Sequence, residues 1–179
     1  MKEVRLHGRG GQGVVTAAEL MASAAFFDGK ETQAFPTFGS ERMGAPVASF
    51  VRISEKKIRI RSQIYEPDYV IVQDPTLIGS VDVFAGLKQG GLILINTEKK
   101  PEELKLKPGF NVKTIPATKI AIEILGRPIP NTVMLGAFAG LTGLVTMDGI
   151  KKAMQQRFKA ELVEKNMQAV ERTFSMLKN

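Results

Sequence analysis

The residues most able to do chemistry lie near the N-terminus. Gly8-Arg9-Gly10-Gly11-Gln12-Gly13 reads G-x-G-x-x-G, with alternating Val4 and Leu6 before it and an apolar run from Val14 after it. A turn of this kind lets the backbone approach a diphosphate, and the helix behind it offers free N–H groups and the positive end of its dipole. Arg9 adds a cation at the same place. The dinucleotide form of the motif also needs an acidic residue about 20 positions further on, at the end of the second strand, for the ribose hydroxyls. That stretch is Gln33-Ala34-Phe35-Pro36, and Asp28 falls before it, which disfavours NAD. Another phosphate-bearing ligand, a partner's backbone, or simply a tight strand-to-helix turn remain as readings of the loop.

Three weaker features follow. In Gly39-Ser40-Glu41-Arg42-Met43-Gly44-Ala45-Pro46 an arginine between glycines could clamp a carboxylate or phosphate, or pair with Glu41. Asn131 stands before an apolar segment as a helix cap, and Gly136, Ala137, Ala139, Gly140 and Gly143 give that segment a face of small side chains suited to close packing. Asp74-Pro75 follows an apolar strand pattern, where open α/β sheets place ligands, although a lone carboxylate there reads first as an N-cap. His7 ends the first strand with no Ser, Cys or paired acid in view, so it forms no triad and reads as a hydrogen-bonded core residue. No catalytic constellation emerges, and the chain looks like a subunit rather than a complete catalyst.

Composition narrows the classes. The 179 residues contain no cysteine and one histidine, which excludes disulfides, a cluster or zinc held by this chain's thiolates, and a multi-histidine metal site. Hydrophobic residues make up 44% and charged residues 24%, ordinary usage for one globular domain spanning 1–179. The net charge is +7, and its excess sits in two places, the C-terminal region from Lys151 and the short run Arg52, Lys56, Lys57, Arg59, Arg61. A basic patch meets nucleic acid, an anionic cofactor or an acidic protein, or is simply a solvated face. With no Trp and little aromatic interleaving, a single-strand stacking platform is disfavoured. No signal-peptide pattern opens the chain, and the apolar stretch Val133–Val145 is too short and glycine-rich to span a bilayer, so a cytoplasmic protein is expected.

The elements that must position these residues follow from periodicity. Strands are expected at Val4–Leu6, Thr32–Phe35, Val47–Ser54, Ile58–Arg61, Tyr69–Val72, Leu92–Ile95 and Val112–Ile115. Val47–Ser54 and Ile58–Arg61 are expected to form an antiparallel hairpin around Ser54-Glu55-Lys56-Lys57. Helices are expected at Val14–Phe27, Val81–Leu87, Pro116–Leu125 and Thr132 towards Gly143, with a last helical region starting at Thr146 or Asp148. The segment Lys99–Pro108 reads as an exposed loop. Alternating strands and helices imply a three-layer α/β/α domain with a mixed, mostly parallel sheet.

Taken in order, His7-Gly8-Arg9-Gly10-Gly11-Gln12-Gly13, Gln33-Ala34-Phe35-Pro36, Gly39 to Val47, Val51-Arg52-Ile53 and Asn131-Thr132-Val133-Met134-Leu135-Gly136 closely resemble the gamma subunit of the 2-oxoacid:ferredoxin oxidoreductases. The resemblance covers nearly the whole chain. It implies an enzyme that oxidatively decarboxylates a 2-oxoacid, passes the acyl group to coenzyme A and reduces ferredoxin. Thiamine diphosphate with Mg would be held by alpha and beta subunits, and iron–sulfur clusters by beta and delta, with no cluster, catalytic residue or metal site in the gamma chain. The implied partners are the alpha, beta and delta subunits and, through the complex, ferredoxin, with neither nucleic acid nor membrane. Pyruvate is the first choice of substrate from Glu41-Arg42-x-Gly44-Ala45-Pro46. Branched-chain and 2-oxoglutarate enzymes are the alternatives, with an independent NAD(P)-binding oxidoreductase or a nucleic-acid module behind them. The expected role is assembly and a part in shaping the coenzyme A approach, through Gly8, Arg9, Gly10, Gly11, Gln12, Gly13, Arg42 and Asn131.

Overall fold

A computed structural model describes residues 1–37, 43–104, 106 and 108–178. Its strands are β1 (Lys2–Arg9), β2 (Glu31–Pro36), β3 (Pro46–Ser54), β4 (Tyr69–Val72), β5 (Leu92–Asn96) and β6 (Asn111–Ile115). Its helices are α1 (Val14–Phe27), α2 (Ala117–Leu125), α3 (Asn131–Thr142), α4 (Met147–Arg157) and α5 (Ala160–Leu177). The strands form one mixed sheet in the order β2-β3-β1-β4-β5-β6. The pairs β1–β4, β4–β5 and β5–β6 are parallel, and β2–β3 and β3–β1 are antiparallel.

The expected α/β architecture is present, with two corrections. The antiparallel partner of β3 is not Ile58–Arg61, which forms no strand. Both edges of β3 are already hydrogen-bonded, to β2 on one side (Ala34 opposite Val51) and to β1 on the other (Val4 opposite Val51), so no edge is left for the later segment. Val81–Leu87 is a series of turns rather than a helix. Val83, Phe84 and Leu87 still bury themselves on the sheet, against Val70, Val72, Ile93 and Ile95. One outer layer is therefore helical and the other irregular.

The helical layer holds the larger core. Val4, Leu6, Val51, Ile53, Ile71, Leu94 and Ile115 point to it from the sheet, since side chains alternate along each strand. Helix α1 is apolar almost all round. Its polar stripe meets α4, where Arg157 donates to Glu19 Oε2 at 2.7 Å and to Thr16 Oγ1 at 3.3 Å. The small-residue face of α3 has a packing cause. A Cβ on Gly136 would lie 2.5 Å from the Val170 carbonyl oxygen, and one on Gly140 would lie 2.6 Å from that of Phe174. These glycines let α3 and α5 touch backbone to backbone. The last helical region is broken at Phe158 and Lys159, where the backbone is extended. Thr146 starts α4, its hydroxyl accepting from the Gly149 N–H at 3.0 Å.

Candidate functional site

The chain leaves β1 onto the helical face, through α1, and leaves the neighbouring parallel β4 onto the opposite face, through Pro75–Leu77 and the turns after it. Where adjacent parallel strands send their connections to opposite faces, a crevice opens at their carboxyl ends. The glycine loop and Asp74 stand on its two sides.

The loop is held more tightly than its composition suggests. Gly8 and Arg9 still belong to β1, which outlasts the expected strand. Gly8 sits under the start of α1, where a Cβ would come within 2.5 Å of Val14 Cγ2. Gly13 adopts φ 72°, a left-handed value that favours glycine, and caps α1 with its backbone only. The Gly10 N–H donates to the Ala45 carbonyl at 2.9 Å, and the Gly44 N–H donates back to the Gly10 carbonyl at 3.0 Å. The segment before β3 is thus zipped onto the loop.

Four side chains close the crevice. The Gln12 amide accepts the Arg9 N–H at 2.8 Å and donates to Asp74 Oδ2 at 2.7 Å. Arg9 Nε lies 3.3 Å from the same carboxylate oxygen. Its Nη2 donates to Thr76 Oγ1 at 2.8 Å and its Nη1 to the Gly44 carbonyl at 3.0 Å. The other Asp74 oxygen accepts from the Thr76 N–H and hydroxyl, at 2.9 and 2.6 Å. Burial pushes the Asp74 carboxyl up, but the Thr76 and Gln12 hydrogen bonds and the Arg9 charge outweigh it, and its pKa lies below the ordinary carboxylate range. Asp74 is the expected cap of its turn. Its bond to Gln12 and its charge pairing with Arg9 were missed, because nothing local in the sequence says that β1 and β4 are neighbours.

What remains open faces the start of α1. Among the described residues no side chain caps that helix, so the N–H groups of its first turn point outward without a helical partner. They border a cleft of about 280 Å³ lined by Arg9, Gly10, Gly11, Gly13, Val14, Val15, Thr16 and Val47. Arg9 is part-exposed and lines this cleft, its guanidinium fixed by Asp74, Thr76 and Gly44. Asn131 adjoins the loop from α3, with Nδ2 3.4 Å from the Gly13 carbonyl oxygen. The helix cap itself is Pro130, and Asn131 Oδ1 accepts from the Thr132 N–H. Arg42, with Gly39, Ser40 and Glu41, lies outside the described residues.

His7 departs from expectation. It is buried, on the sheet face away from α1, but its Nε2 has no hydrogen-bond partner among the described residues. Burial, helped by the Arg5 charge, drives its pKa down to about 4, so the ring is neutral at pH 7. The NAD reading fails on topology as well as on the missing acid. Strand β2 sits at the sheet edge, separated from β1 by antiparallel β3, so the end of the second strand is not beside the loop. Among the described residues no group of three or more His, Cys, Asp or Glu could hold a metal ion, and no helix is long and apolar enough to cross a membrane.

Fold and site together define an α/β domain with a glycine-loop crevice at the carboxyl ends of β1 and β4. The chain belongs to the pyruvate ferredoxin/flavodoxin oxidoreductase family, whose model matches residues 3–176. It is 57% identical, over 99% of its length and 98% of the relative's, to "Pyruvate synthase subunit PorC" of Methanocaldococcus jannaschii. It is 56% identical, over 98% and 96% of the two chains, to "Pyruvate/ketoisovalerate oxidoreductases common subunit gamma" of Thermococcus kodakarensis. The crystal structure of pyruvate oxidoreductase subunit PORC from Thermotoga maritima superposes with a TM-score of 0.85 at 38% identity, covering 97% of this chain and 95% of that one. The resemblance read from the motifs is borne out. The chain is a gamma-type subunit of a 2-oxoacid:ferredoxin oxidoreductase and works with other subunits.

Proposed function

We propose that the complex containing this chain converts pyruvate, coenzyme A and oxidised ferredoxin to acetyl-CoA, carbon dioxide and reduced ferredoxin, and that this chain forms one wall of the coenzyme A approach. Relatives named for pyruvate support the substrate, and the shared pyruvate/ketoisovalerate subunit keeps a branched-chain 2-oxoacid as the alternative. The observation that carries the coenzyme A role is the uncapped start of α1 beside Arg9. Coenzyme A brings phosphates, and free N–H groups with a fixed guanidinium are what a phosphate needs. Asp74 and Thr76 hold the Arg9 fork in place, so its ordering is complete before a ligand arrives.

The redox centres and thiamine diphosphate fall to the alpha, beta and delta subunits in this reading. A chain without cysteine has no thiolate for a cluster. In the assembled complex, Arg9→Ala should raise the Michaelis constant for coenzyme A by roughly 10-fold, the loss of one charge-assisted hydrogen bond, while that for pyruvate stays put. An unchanged constant for coenzyme A would remove this role from the loop and leave the subunit's place in the complex intact.

A further inference from the structure

The basic run singled out in the sequence takes no part in the site, and its structure is unusual. Residues 55–66 cross the surface between β3 and β4 as a strap fixed at both ends. At its start, Glu55 lies 3.9 Å from Lys30 Nζ, and the Lys56 N–H donates to Ser54 Oγ at 3.1 Å. At its end, the buried Arg52 donates to the carbonyl oxygens of Ser62 and Gln63, at 2.8 and 3.3 Å, and Ile64 enters the core. Arg52 is itself held by Glu3 at 2.8 Å.

Between these anchors the strap is bare. No main-chain group of residues 57–61 makes a hydrogen bond to any described residue, although Lys57-Ile58-Arg59-Ile60-Arg61 has the alternation of a strand. Lys56, Lys57, Arg59 and Arg61 are exposed, and none is in an ion pair among the described residues. Ile60 is 46% exposed and Tyr65 70%. In an extended chain Ile58 and Ile60 share one side and Arg59 and Arg61 the other. The segment has strand sequence and free donors and acceptors, yet it pairs with neither edge of β3, which β1 and β2 occupy, nor with the open edges of β2 and β6.

We propose that residues 57–61 become a β-strand on assembly, by adding to the exposed edge of a sheet in another subunit whose edge strand carries Asp or Glu at alternate positions. This rests on the chain's place in a multi-subunit enzyme. The occupant follows from the chemistry. The same segment of a second copy would set cation against cation, and the open edges of this chain, β2 and β6, carry one acidic residue between them, Glu31, so the partner is a different chain with an acidic edge strand. A lone strand pair is marginal in water, so it belongs to an existing sheet. Main-chain bonds supply the register, and Arg59 and Arg61 choose the partner.

Hydrogen–deuterium exchange on the purified complex and on the isolated full chain tests this. The amides of 58–61 should exchange at least about 100-fold more slowly in the complex. Zero-length carbodiimide coupling should join Lys56 or Lys57 to carboxylates of one extended segment in a partner subunit. Two variants separate ladder from charge. Ile60→Pro removes an N–H and keeps every cation, whereas R59E with R61E reverses charge and keeps the backbone. Each should weaken subunit association by roughly 10-fold or more while the isolated chain's melting temperature is unchanged, and only the second effect should shrink in high salt. Fast exchange of 58–61 within an intact complex overturns the proposal, as does association indifferent to both variants. So does protection by DNA or RNA in place of a subunit. A chain that enters no complex would instead strike the functional reading on which the proposal rests.

Discussion

His7 makes the stability of this subunit sensitive to mild acid. Its folded pKa is lowered to about 4 by burial and the Arg5 charge, against an ordinary value of 6.5. A depressed value means that the unfolded chain binds the proton first. The stability His7 supports is therefore complete above about pH 6.5 and is lost as pH falls from there towards 4. At pH 4.5 the two values imply a loss of roughly 2–3 kcal/mol relative to pH 7.5, a large share of a typical domain's stability. His7 is the one histidine of the chain, so a single imidazole signal reports its titration. Asp68 and Asp74 also have lowered values, from 3.8, so their contribution is lost only at lower pH, beneath this window. Urea midpoints at pH 7.5, 6.0, 5.0 and 4.5 should fall steadily in the wild-type chain. In His7→Leu, of similar size and without a proton to bind, they should stay nearly flat. An imidazole titrating near 6.5 in the folded chain would refute the reasoning, as would equal slopes in the two proteins.

The packing of α3 on α5 leaves no room for a methyl group, so Gly136→Ala should cost roughly 1–3 kcal/mol by thermal melting, because the neighbour is the Val170 backbone. Arg52 is 1% exposed and paired to the part-exposed Glu3, and Arg52→Ala should cost about 2–4 kcal/mol in urea unfolding, since it empties a buried site, leaves Glu3 unpaired and frees the strap at Ser62. Asp74→Asn keeps the shape of the turn but removes the charge facing Arg9. It should raise the Michaelis constant for coenzyme A in the complex several-fold, less than Arg9→Ala does, with little change in the turnover number.

Much of the candidate site was legible because its signals are local. Glycines between a strand and a helix can be read from six residues, and the structure brings Gly8 to Gly13 together with Asn131 at the start of α1. The bonds that order the site were not legible. Gln12 and Thr76 meet at Asp74 only because β4 pairs with β1, a contact 62 residues apart in the chain for Gln12. The role of Gly136 and Gly140 was read correctly as close packing, yet α5 as the partner emerges only in the fold.

The sequence alone determined the α/β class, the family and most elements. Tyr69–Val72 and Leu92–Asn96 are strands, and Val14–Phe27 and Ala117–Leu125 are helices, as their periodicity and flanking residues require. Tertiary structure decided which strands pair. Ile58–Arg61 has the pattern of a strand as good as that of Thr32–Phe35, but β2 lies beside β3 and the later segment finds both edges filled. Val81–Leu87 has apolar residues enough for a helix, and the face of β4 and β5 takes them as turns instead. His7 was expected to be bonded and is merely buried, since its surroundings come from distant strands. The physical reason is common to all three. Propensity and patterning act over a few residues, whereas sheet edges, buried partners and the crevice between β1 and β4 exist only once the chain has chosen its long-range neighbours.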